Sequence, residues 1–230
     1  VVELHEQVNF VEAKNIQTIV FDECVREYDL QLFNSFVLDE QSTYNDRWKS
    51  YISTLAASLC KTDAEVSELY LRLTDFRSED PLTGIGKIAE LPDFERRGED
   101  SNSTHVLNLW RIGKKSELKR RVWKAQLQVL FPIIEMLRIK LIKELEDELR
   151  RCLSERYVLQ FGEQITDPYD LEFGTLTWLM AKKDDNWMRY LYVPDENTRY
   201  RIRFLKECRN CLAHTDCCTV EQVRELMALR

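Results

Sequence analysis

The sequence predicts an all-α protein, and three observations carry that expectation. Glycine and proline are scarce, six and five in 230 residues, so few positions break a helix or demand a turn. Leu, Glu, Lys, Arg and Gln, which lose little freedom in a helix, are abundant. Strand signals are confined to two short runs, YVLQF (157–161) and MRYLYV (188–193).

In chain order, residues 3–38 read as helices broken near Asp29, and 43–60 (TYNDRWKSYISTLAASLC) as one helix. Thr62 with Glu65 forms a capping-box pattern for a helix to about Leu73. From Thr74 to about His105 the periodicity collapses around Pro81, Gly84, Gly86, Pro92 and Gly98. That stretch reads as a long loop, either a domain boundary or a functional segment. Within it GIGK (84–87) lacks the spacing and the Ser/Thr of a phosphate-binding loop and reads as a turn. Ser116 with Lys119 and Arg120 opens a helical pattern reaching about Arg156, and Pro132 inside it is expected to kink or split the helix. Asp167-Pro168 and Pro194-Asp195 read as helix starts. Thr219 with Gln222 caps a last short helix. The C-terminal half is thus expected to be a bundle of four or five helices, preceded by an additional helical region.

The net charge is −7, which argues against indiscriminate nucleic-acid binding but not against a local basic groove. The most apolar run, LQVLFPIIEMLRIKLI (127–142), is interrupted by Glu135, Arg138 and Lys140, so it reads as a core helix and no membrane span is expected. The chain opens without a secretory signal pattern, and its seven cysteines are an odd number in a chain too large to need staples. Free thiols in a reducing cytoplasm are the expectation. HEQVN (5–9) lacks the second histidine of a zinc protease, and no serine nucleophile elbow is present.

The stretch that carries chemistry is ECRNCLAHTDCC (207–218). Cys208, Cys211, His214, Cys217 and Cys218 are zinc-ligand types, but five residues between Cys211 and Cys217 are too few for the usual two separated ligand pairs. On a helical wheel Arg199, Arg203, Lys206, Asn210 and His214 share one polar stripe, opposite Ile202, Leu205, Cys208 and Leu212. Arg209 lies at the border, beside Ile202. Asn210 sits one turn before His214, where its amide could orient the imidazole. Three readings stay open in this order: a catalytic pair, a histidine that simply favours the helix C-terminus, and a metal site.

RNCLAH, Arg209 to His214, resembles the signature of the HEPN superfamily, an arginine followed by a polar residue and then, five to seven positions after the arginine, a histidine. LEFGTLTWLMA (171–181) is similar to the helix that precedes that signature, and TVEQVRELM to the capped helix that follows it. The resemblance covers about 106–230 and leaves 1–105 as a helical region of unknown role. It implies a helical bundle that pairs as a homodimer. It also implies either a metal-independent endoribonuclease, of the kind found in toxins, anti-phage systems and RNA processing, or a non-catalytic module binding nucleic acid or protein. Carried over, Arg209 and His214 would be the catalytic pair and Asn210 the polar residue after the arginine, with no metal or other cofactor. Arg199, Arg203 and Lys206 would contact RNA phosphates, and Glu172 is a candidate partner for Arg209. One branch carries a tyrosine two positions after the histidine; Asp216 stands there, which puts regulation through that tyrosine in doubt.

The chemistry these types permit is attack of an RNA 2′-hydroxyl on the adjacent phosphorus. An imidazole takes and returns protons, and a guanidinium steadies the growing negative charge. Residues five apart on a helix point roughly 140° away from each other. Arg209 and His214 therefore need either a helix that ends between them or a second chain. The cluster RIGKKSELKRR (111–121), with Trp110 and Trp123 as stacking partners, could widen an RNA groove; the blander reading is a solvated helix start with core tryptophans.

Overall fold

The computed structural model describes residues 25–41, 44–99 and 104–229, and among them the chain is mostly helical. The expectations at 3–24, including HEQVN, lie outside the described residues. The first helix, α1 (Glu27–Gln41), runs through Asp29 rather than breaking there. The Asp29 carboxylate accepts the Arg26 N–H at 2.9 Å, so this residue marks the helix start. Next come α2 (Asp46–Cys60) and α3 (Ala64–Leu73). The cap of α3 is Asp63, whose side chain accepts the Val66 N–H, and not Thr62; a carboxylate at that position outcompetes the hydroxyl one residue earlier.

The stretch read as a loop, 74–105, contains a helix, α4 (Pro81–Ala89), capped by Asp80 with proline in its first turn. GIGK therefore lies in a helix, not a turn. Its glycines permit close packing: a Cβ on Gly84 would stand 1.8 Å from Thr74 Oγ1 and 3.0 Å from the Tyr70 ring, and one on Gly86 2.7 Å from the Trp110 ring. We expect Gly84→Ala to destabilise the protein by about 1–3 kcal/mol, because overpacking outweighs the gain in helix propensity; the shift of the urea midpoint measures it.

After a short α5 (Val106–Arg111), the 30-residue α6 (Lys115–Glu144) continues unbroken through Pro132. The proline sits on an exposed face, as does Gln128, whose carbonyl loses its partner. Burial of Leu130, Ile134, Leu137 and Leu141 along the other side holds the helix together. The division comes instead at Leu145, before α7 (Glu146–Glu155). A two-residue hairpin, β1 (Leu159–Gln160) with β2 (Glu163–Gln164), and a bridge between Lys183 and Arg189 account for the two extended runs. Asp167-Pro168 opens only a single 3-10 turn, and α8 (Phe173–Ala181) follows it. The chain closes with α9 (Glu196–Ala213) and α10 (Val220–Ala228), the latter opened by the expected Thr219–Gln222 capping box.

In α2 every residue from 51 to 60 is buried. It packs between α1 and α6; α9 lies on α6, and α8 on α9. The polar groups of α2 are satisfied within the core: Ser58 Oγ donates to the Arg121 carbonyl, and the Ser53 carbonyl accepts from Asn34. Helices from both sides of residue 105 contribute to one hydrophobic cluster. A cavity of about 450 Å³ opens between α1, α2 and α6, lined by Gln31, Arg47, Thr54, Pro132 and Met136 among others; none of the candidate site residues lines it.

Candidate functional site

The site is built on α9. Asp195 caps it, accepting the Thr198 N–H at 2.6 Å. Ile202, Leu205, Cys208 and Leu212 are fully buried, which turns the opposite stripe outward as the wheel requires. Arg209, at the border, reaches α8: its Nη2 donates to Glu172 Oε2 at 3.1 Å. Their side chains are 31% and 40% exposed, so water screens the pair and its net stabilisation is small. One turn away Lys206 Nζ donates to Thr177 Oγ1 at 2.9 Å. The two contacts set α8 antiparallel to α9, with Glu172 at the head of α8 facing the C-terminal turns of α9.

His214 is the C-terminal cap of α9 and is exposed. The helix stops by a Schellman arrangement: the Asp216 N–H donates to the Cys211 carbonyl at 2.9 Å and the Thr215 N–H to that of Leu212 at 3.4 Å. Thr215 takes the left-handed conformation there, φ 61°, which is costly for a β-branched residue. Thr215→Gly is therefore expected to stabilise the protein by about 0.5–1 kcal/mol, the relief being partly offset by the freer unfolded chain; thermal melts of the two proteins check it.

The fold brings Arg209 and Glu172 together but does not turn His214 toward them. Helix α9 does end between Arg209 and His214, at Ala213, but only one residue before the histidine, so helix geometry still sets the two positions roughly 140° apart around its axis. Asn210 is half-buried and its backbone carbonyl accepts the His214 N–H at 3.0 Å, but its amide and the imidazole are not bonded to each other. Of the basic stripe, Arg199 donates to the carbonyls of Val193 and Pro194. Arg203 is exposed with no carboxylate in salt-bridge range among the described residues.

Two arginines of the second basic cluster are spent on structure, while Lys114, Lys115 and Lys119 remain exposed. Arg111 donates to the carbonyls of Phe94 and Arg97, and Arg121, buried, to those of Leu59 and Thr104. Trp123 Nε1 donates to the Leu212 carbonyl at 2.8 Å, and Trp110 packs against Gly86. Both indoles are partly buried against the hydrophobic core, which fits the blander of the two readings.

The six cysteines among the described residues are free thiols. Cys208 and Cys218 are buried, with Cys218 Sγ 3.8 Å from the Cys208 carbonyl. Burial pushes the Cys217 thiol up to about 11, helped by the nearby Asp216 carboxylate. No group of three or more His, Cys, Asp or Glu side chains converges to hold a metal ion among the described residues. No helix among them is long and apolar enough to cross a membrane.

Comparison with family models, curated proteins and solved structures returned no match. The sequence did not anticipate a polar knot at the head of α3. There Asp63 receives two hydrogen bonds from Arg97, at 2.7 and 2.9 Å, and one from His105 at 3.0 Å. Nothing in the local pattern linked these residues, which lie 34 and 42 positions apart.

Proposed function

We propose that this chain is a metal-independent endoribonuclease of the HEPN kind, with Arg209 and His214 as its catalytic pair. The observation that carries the reading is where RNCLAH falls. The arginine is half-buried and oriented by Glu172 near the end of a long helix, while the histidine caps that helix, open to solvent. His214 takes the 2′-hydroxyl proton or returns one to the leaving 5′-oxygen. Arg209 presents its fork of donors to the non-bridging oxygens as charge builds on phosphorus. DNA, lacking the 2′-hydroxyl, is not cut by this route.

Because continuous helix separates the two side chains, the working site is a shared one. In a symmetric homodimer the helix ends of both chains meet, so that Arg209 of one serves with His214 of the other. Residues 1–105 then restrain or regulate that site, alone or with a partner. A test is to mix the Arg209→Ala and His214→Ala chains: the mixture is expected to regain cutting that neither shows alone, and no recovery would contradict a shared site.

The second reading, a non-catalytic HEPN module, rests on the same contact. Glu172 neutralises part of the Arg209 charge, and Arg199 and Lys206 are engaged within the chain. A wild-type protein that dimerises but leaves RNA intact under all conditions would favour it.

A further inference from the structure

A turn beside the C-terminal end of α8 presents large aromatic and apolar side chains to water. Trp187 is 77% exposed and Met188 65%, yet the turn carrying them is tightly organised. The Asp184 carboxylate accepts the N–H groups of Asn186 and Met188, both at 2.9 Å, and the Trp187 N–H donates to the Asp184 carbonyl at 3.0 Å. Trp187 itself is left-handed, φ 62°. A bulky aromatic is a poor residue for that conformation, and such strain concentrates where a side chain has work to do.

The turn is fastened to the bundle through a second row of rings. The Leu191 N–H donates to the Leu179 carbonyl and that of Tyr190 to the Lys182 carbonyl. Tyr190 lies edge-on to Trp178 with ring centres 5.6 Å apart, and the Arg156 guanidinium sits 4.4 Å above Tyr190. Lys183 Nζ stands 4.9 Å from the Trp187 ring. Cations and aromatic faces are thus interleaved, and Trp178 and Tyr192 remain exposed beside them.

Charge decides what this surface fits. Residues 182–206 carry seven Lys and Arg against four Asp and Glu, in a chain whose net charge is −7. Asp184 is taken up by the turn and by Arg156 and Asp195 by the start of α9, while Asp185 and Glu196 are exposed with no cation in salt-bridge range among the described residues. Lys182, Lys183, Arg189 and Arg203 have no carboxylate in salt-bridge range among the described residues.

We infer that this turn, with Trp187 at its tip and Trp178 behind it, is a base-stacking platform for single-stranded RNA. An unpaired strand offers both a face for each ring and a phosphate for each cation, which a paired helix does not. The inference rests on the ribonuclease reading for its ligand and adds to it a site and a preference for unpaired RNA. From Lys182 to Glu172 is ten residues of α8 and its flanks, about 15 Å at the helical rise. The platform would hold the strand to one side of Arg209, with Arg203 between.

The test uses the full chain carrying His214→Ala, so that RNA stays intact, and a fluorescent short oligouridylate read by anisotropy. Adding Trp187→Ala, a change at a mostly exposed side chain, is expected to weaken binding about tenfold, while circular dichroism and melting stay the same. A duplex of equal length is expected to bind weakly and to ignore the substitution. Unchanged oligouridylate affinity in Trp187→Ala would overturn the inference, as would no binding to the parent chain. So would loss of self-association as the only effect of Trp187→Ala, which would mark a protein contact. The two readings fail separately. Cutting that depends on His214 but not on Trp187 removes the platform and leaves the nuclease. Binding that depends on Trp187 without any His214-dependent cutting keeps the platform and removes the nuclease.

Discussion

Replacing Arg209 by alanine is expected to lower RNA cleavage by about 100- to 1,000-fold while changing the folding free energy by less than about 1 kcal/mol. The two halves of that expectation come from one contact. The Arg209–Glu172 pair is half in water, with side chains 31% and 40% exposed, so little stability is lost with it. A guanidinium aimed at a developing phosphorane charge contributes far more, because that charge grows only in the transition state. Arg209→Lys should recover little, since an ammonium lacks the planar fork that meets two oxygens at once. Cleavage rates beside urea melts of the same proteins measure both halves. A variant that loses stability and activity in parallel would make Arg209 a structural residue.

Asp63→Ala is expected to cost about 2–4 kcal/mol, a much larger loss of stability. The Asp63 carboxylate caps α3 through the Val66 N–H and holds both Arg97 and His105, and its side chain is only 9% exposed. His105 Nδ1 accepts the Leu107 N–H at the head of α5, so its Nε2 carries the proton donated to Asp63. Removing the carboxylate thus undoes a helix cap, takes away the acceptor to which His105 Nε2 donates and leaves the Arg97 guanidinium, 19% exposed, with Glu65 as its remaining carboxylate. Burial alone would raise the Asp63 carboxyl, but the His105 and Val66 hydrogen bonds and the Arg97 charge outweigh it and hold it below the usual aspartate range. The stability it contributes is present above the unfolded value and lost as pH falls through the folded one. The gap between wild type and Asp63→Asn in urea melts should therefore be full at neutral pH and close in strong acid. A gap that widens in acid would contradict this account.

The helices themselves were legible because their signals are local. Asp195 before α9, the Thr219–Gln222 box before α10 and the apolar stripe of Ile202, Leu205, Cys208 and Leu212 all lie within a few turns of the residues they govern. What the sequence hid was what depends on a distant partner. Gly84 and Gly86 read as breakers because their reason, the closeness of Thr74, Tyr70 and Trp110, is tertiary. Pro132 read as a break because its exposed position on α6, with burial along the opposite side, cannot be seen from the proline alone. Arg111 and Arg121 counted as free charge until the carbonyls they bind came into view. For the candidate site, the residue types and the Glu172 contact were readable from the pattern. The form of the stop that ends α9 was not, because it uses a left-handed Thr215 that no propensity favours.

The most direct test of the ribonuclease reading is chemical analysis of the ends left when the wild-type chain meets a labelled RNA pool in excess EDTA. Cyclic 2′,3′-phosphate and 5′-hydroxyl ends, lost in His214→Ala, are the predicted result. Ends bearing 5′-phosphate, or cutting that survives His214→Ala, would contradict it.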